Sequence, residues 1–115
     1  NAGHLPPIIK KADGSVMRLS TAGGSPIGIL MGMKFGQETA MLEQRDTVVL
    51  YTDGIIEAMN AGEEQYGYER FEALIRKAPS DPEGLKSAII DEVNRFTGLS
   101  PQQEDMTMVC FGAVK

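Results

Sequence analysis

The stretch TVVLYTDGIIEAMN, residues 47–60, constrains this chain more than any other. A β-branched and aromatic run with no polar alternation reads as a strand over Thr47 to Thr52, covered on both faces and therefore central to a sheet. It ends in Asp53-Gly54, a dipeptide that ordinarily marks a tight hairpin. A hairpin needs a second β-run at once, and IIEAMNAGEEQ has no period-two pattern. Two readings follow: an ordinary turn, or a backbone bend at Gly54 that leaves the Asp53 carboxylate fixed at a strand end, where it suits a hard cation.

The rest of the chain reads as partners for that strand. PPIIKKADGSVMRLS supplies two short strands, Pro7 to Lys11 and Val16 to Leu19, joined at Asp13-Gly14. The Gly- and Pro-rich TAGGSPIGILMG is an irregular loop, and residues 34–43 are β-compatible with poor alternation. EQRD turns the chain into the central strand. Tyr68, Phe71, Leu74 and Ile75 share one face of a short helix, and Leu85, Ile89, Val93 and Phe96 form a longer stripe. SDPEG opens that longer helix, with Ser80 or Asp81 as cap and Pro82 in the first turn. A final strand spans Met106 to Val114. Strands, two amphipathic helices and a last strand indicate an α+β fold with helices on one face of a sheet.

Composition narrows the function. With 115 residues, 42% hydrophobic and 23% charged, the chain fits one globular unit, and a net charge of −5 argues against nucleic acid as a partner and for cations as ligands. No membrane-spanning run or signal peptide is evident, so a cytoplasmic protein is expected. The single cysteine, Cys110, lies in an apolar run and is expected to be a buried thiol without a disulfide. A second acidic pair, Glu104 and Asp105, stands directly before the last strand. If that strand lies beside the central one, these carboxylates meet Asp53 at one sheet end; the alternative is that they are solvated loop charges.

Five segments, NAGHLPP, GGSPIGI, LYTDGIIEAMN, YGYERF and PQQEDMTMV, occur in the order and spacing of the metal-dependent serine/threonine phosphatases and most resemble the bacterial stage II sporulation E branch. The resemblance covers essentially the whole chain. It implies a four-layer α-β-β-α sandwich with antiparallel sheets, of which residues 1–115 are the C-terminal portion of a single phosphatase domain. It implies two Mn²⁺ or Mg²⁺ ions per intact domain, with Asp53 and Glu104 as catalytic metal ligands and Asp105 as the substitute for Glu104. The family usually has two aspartates at the last motif, whereas this chain has Glu104-Asp105.

The implied substrate is a phosphoserine or phosphothreonine on a regulatory protein, an anti-sigma-factor antagonist, with a sensor or receiver domain upstream. The family's bridging aspartate lies N-terminal to NAGH, so the chain alone is expected to be inactive and to self-associate through exposed apolar surface and strand edges. His4, Asn1 and Gly3 are expected to be structural at a strand end, and Gly24, Pro26 and Gly28 to be loop geometry. A pseudophosphatase or protein-interaction module is the rival reading.

Overall fold

The computed structural model describes residues 1, 3–19, 23–24, 27–29, 31–32, 34–98 and 105–113. Its strands are β1 (Ile8–Lys10), β2 (Val16–Arg18), β3 (Thr47–Tyr51) and β4 (Met108–Gly112); its helices are α1 (Asp53–Ile56), α2 (Tyr68–Lys77) and α3 (Pro82–Thr97). One sheet runs in the order β2-β1-β3-β4, every pair antiparallel, so the apolar run over 47–51 is indeed central. Asp13 shapes the β1–β2 hairpin by accepting from the Ser15 amide at 2.8 Å, and Gly14 sits at φ 90°, where a Cβ would be strained.

Register decides which side chains meet the helices. Ile8, Val49 and Cys110 align across the sheet, as do Lys10, Thr47 and Gly112, and this face carries α2 and α3. Phe71 and Ile75 of α2 and Leu85, Ile89 and Val93 of α3 are buried against Ile8, Val49 and Tyr51. Tyr51 and Phe71 pack as tilted rings, 54° between planes and 4.8 Å between centroids, and Tyr66 meets Phe96 edge-on at 5.2 Å. Asp81 caps α3 by accepting from the Gly84 amide at 2.8 Å, which settles the choice between Ser80 and Asp81.

The opposite face aligns Met17 with Ile9, Val48 and Phe111, and Leu50 with Val109. Val48 and Ile9 are buried, whereas Met17, Val109 and Phe111 are 41%, 49% and 44% exposed.

Three expectations need correction. Residues 34–43 form no strand where they are described, because without alternation neither face has an apolar set to bury. Among the described residues three helices form, not two: Asp53-Gly54 opens the one-turn α1, and Ile55 and Ala58 are buried in the core with Tyr51. Cys110 is only half-buried, because β4 is an edge strand with helix cover on one side; burial still pushes its thiol pKa up.

Two buried charges were not anticipated. Lys10 is 2% exposed, and its ammonium donates to the carbonyls of Ile75 at 2.6 Å, Arg76 at 3.2 Å and Ala78, the last turn of α2. Asp46 is 2% exposed; it pairs with Lys11 at 2.9 Å and accepts from the amides of Ala12 and Glu43. No described helix is long and apolar enough to cross a membrane.

Candidate metal centre

The end of β3 is tied to the segment before β4 residue by residue. The Thr52 amide donates to the Thr107 carbonyl at 3.1 Å, and the Thr107 amide donates to Thr52 Oγ1 at 3.0 Å. Asp53 then starts α1, whose turn closes with the Glu57 amide donating to the Asp53 carbonyl at 2.8 Å. Gly54 is buried, and a Cβ built there would stand 2.3 Å from the Asp105 carbonyl oxygen and 2.9 Å from its carbon. No side chain fits, so glycine is what allows the Asp53 turn to lie against Asp105. Asp53 and Asp105 are both exposed.

The N-terminal strand end reaches the same place. A cleft of about 150 Å³ is lined by Gly3, His4, Leu5, Tyr51, Thr52 and Asp53. Asn1 brackets His4: its Oδ1 accepts from the His4 amide at 2.9 Å and its Nδ2 donates to the His4 carbonyl at 3.2 Å, with Gly3 at φ 89° completing the turn. The wall behind Asp53 is rigid, since Tyr51 is 2% exposed and burial pushes its phenol up to about 12, keeping it neutral.

The sequence-predicted residues are therefore distributed as follows. Asp53 and Asp105 belong to segments in contact, Glu104 lies outside the described residues, and His4 shares a cleft with Asp53. Gly24 and Gly28 are described, with Gly28 at φ 90°, and Pro26 is outside the described residues. The bracketing by Asn1 was missed, although an Asn three residues before a His is the spacing of a side-chain-to-backbone turn.

The profile of the Stage II sporulation protein E (SpoIIE) family matches residues 1–113. The chain belongs to the SpoIIE family. Among solved structures, this SpoIIE-family chain is similar to the SiaA-PP2C domain of Pseudomonas aeruginosa, with a TM-score of 0.77, 22% identity, and coverage of 96% of this chain and 44% of that one. It is also similar to the RsbU and RsbW domains of Rv1364c from Mycobacterium tuberculosis, with a TM-score of 0.75, 29% identity, and coverage of 96% and 30%. The phosphatase domain of SpoIIE from Bacillus subtilis, in an Mn-presoaked crystal, gives a TM-score of 0.70, 21% identity, and coverage of 96% and 47%. The chain thus spans under half the length of each solved chain.

For this SpoIIE-family chain the donor chemistry at the β3 end fits part of a divalent-cation site: an exposed carboxylate on a fixed turn, with a second acidic segment packed against it. Among the described residues, no three His, Cys, Asp or Glu side chains converge to hold an ion.

Proposed function

We propose that this chain is the C-terminal portion of a metal-dependent protein phosphatase domain that hydrolyses phosphoserine or phosphothreonine on a regulatory protein. The observation that supports it most is the contact of Gly54 with the Asp105 carbonyl, which sets the Asp53 turn against the acidic segment before β4 in a SpoIIE-family chain. Asp53 and Glu104 would hold Mn²⁺ or Mg²⁺, two ions per intact domain, with Asp105 as the substitute for Glu104. When bound, such ions acidify a water, neutralise phosphoryl charge and orient the ester. The protein's part is positioning: Thr52, Gly54 and the Tyr51–Phe71 ring pair hold the Asp53 turn still, so the carboxylate needs little reorganisation.

The substrate is a phosphoprotein of the anti-sigma-factor-antagonist kind, a reading supported by the likeness to the RsbU and RsbW domains of Rv1364c. The compartment is the cytoplasm, and a sensor or receiver domain upstream controls the reaction. Glutamate at position 104, where the family usually has aspartate, favours a second reading, a pseudophosphatase that binds its partner without chemistry.

The test uses the natural protein containing this chain, with p-nitrophenyl phosphate and a phosphoserine protein as substrates. Hydrolysis with Mn²⁺ or Mg²⁺ that falls by at least about a hundredfold in Asp53→Asn is expected. Unaltered hydrolysis in that variant refutes the ligand assignment, and partner binding with no hydrolysis establishes the second reading. The 115-residue chain alone is expected to be inactive.

A further inference from the structure

Arg70 of α2 lies outside the site described above, yet its contacts lead back to it. Its guanidinium donates to the Gln65 carbonyl at 3.1 Å, to the Tyr66 carbonyl at 3.5 Å and to Glu64 Oε1 at 2.7 Å. The same group lies 4.7 Å from the centroid of the Phe96 ring in the last turn of α3, and Tyr66 packs edge-on against that ring. A planar guanidinium can stack and donate in a fork at once, which the point charge of an ammonium does not do.

The segment that Arg70 holds is bonded in turn to the end of α1. The Tyr66 amide donates to the Ala58 carbonyl at 2.7 Å, and the Gly67 amide donates to the Ile56 carbonyl at 2.9 Å. A helix of four residues with no side-chain cap at Thr52 is not stable by itself, because a single turn is entropically unfavourable. Its far end is fixed by those two bonds, and the Glu57 amide closes the turn onto the Asp53 carbonyl. Main-chain bonds therefore link the Asp53 turn to the carbonyls under Arg70.

We infer that Arg70 is a positioning residue of the candidate site: by clamping residues 65–66 between α2 and Phe96 it closes the far end of α1 and so fixes the Asp53 turn. The inference rests on the phosphatase reading above and leaves its ligands as they stand. The ion pair with Glu64 is incidental to it, since that carboxylate is 59% exposed and an exposed pair contributes little.

Amide hydrogen exchange of the natural protein containing this chain, without metal, tests the clamp. Arg70→Met keeps an apolar stem against Phe96 and removes the donors. In that variant the peptide covering residues 53–58 is expected to exchange about tenfold faster, with β3 and β4 unchanged. Glu64→Gln, which removes only the ion pair, should stay within about twofold of the parent rate. Unchanged exchange over 53–58 in Arg70→Met, or an equal acceleration in Glu64→Gln, overturns the inference.

Calorimetry with Mn²⁺ gives a readout that a loss of stability in a still-folded protein would not move. Arg70→Met is expected to raise the Kd for Mn²⁺ about tenfold, and Arg70→Lys, which keeps the charge without the fork, should not restore it. Full restoration by lysine assigns the effect to charge and overturns the clamp. If Asp53→Asn abolishes Mn²⁺ binding and Arg70→Met leaves it unchanged, the metal site stands and the positioning role falls. If Asp53→Asn leaves Mn²⁺ binding unchanged, the metal-site reading itself fails.

Discussion

Replacing Lys10 by Met tests how the helix layer is attached to the sheet. The side chains are similar in length and the stem stays buried, so the change removes the ammonium and little else. An ammonium has three N–H donors, and in this fold three carbonyls at the end of α2 take them, those of Ile75, Arg76 and Ala78. The Ile75 bond is buried and the other two are part-buried. Water can replace the ammonium at two of the three.

An unpaired buried acceptor costs about 1–3 kcal/mol. Loss of a cation at a partly buried helix C-terminus costs up to about 2 kcal/mol more. Against this stands the desolvation of Lys10, which pulls its pKa below the ordinary lysine range and is relieved by Met. The net expectation is a loss of about 2 kcal/mol. For a chain of this size that is about 8 °C in Tm.

Urea unfolding followed by circular dichroism reads the change directly, with Lys77→Met as the control. Lys77 is exposed in the same last turn of α2, and its removal alters net charge without stranding a carbonyl. The control should stay within about 0.5 kcal/mol of the parent chain. If Lys10→Met also stays within that margin, the ammonium's desolvation cancels its three bonds, and the claim that it pins α2 is wrong.

Gly54→Ala should distort the site, because the new Cβ would meet the Asp105 carbonyl oxygen at 2.3 Å and the obstacle is main chain; a stability loss of about 1–3 kcal/mol together with lower phosphatase activity in the full protein is expected, and an alanine variant with unchanged activity refutes it. Asp46 has a depressed pKa, chiefly from its bond to the Lys11 ammonium and then from the Glu43 amide. Its contribution is complete above the ordinary aspartate value of 3.8 and is lost as pH falls through the lower folded value, so stability measured across that acid limb should vary less steeply in Asp46→Asn than in the parent chain. The apolar sheet face at Met17, Val109 and Phe111 should make the isolated chain associate. Light scattering should give more than the monomer mass for the chain and the monomer mass for a Val109→Glu, Phe111→Glu double variant; a monomeric parent chain removes the case for self-association.

The parts of the fold legible in the sequence were those with a local cause. The run over 47–51 had no polar alternation and so had to be central, the Asp13-Gly14 hairpin followed from turn chemistry, and α3 carried both a cap in Asp81 and a stripe at helical spacing. What was not legible depends on neighbours distant in the chain. Lys10 looks like an ordinary strand-end lysine until α2 ends above it, and Asp46 looks like a turn charge until Lys11 and the Ala12 amide come round to it. Asp53 was suspected from its awkward place after a core strand. That its partner segment is the one before β4 required the pairing of β3 with β4, which periodicity cannot supply.

That pairing also explains why the site needs a glycine as much as it needs a carboxylate. A strand end is a rigid place for a ligand only if the next segment does not push it away, and here the next strand's approach is already closed by Thr52 and Thr107 bonding in both directions. The Asp105 main chain must then pass within contact of the turn that follows Asp53, and any Cβ at position 54 would reopen the gap. The two acidic segments are held together there by main chain and by the Thr52 hydroxyl, in the antiparallel register of β3 and β4. A one-residue slip of β4 would turn Met108 and Cys110 away from the helices and carry Asp105 off Gly54 in the same movement. The packing of the half-buried Cys110 and Met108 against the core therefore guards the geometry of the candidate metal centre, although neither residue lies in it.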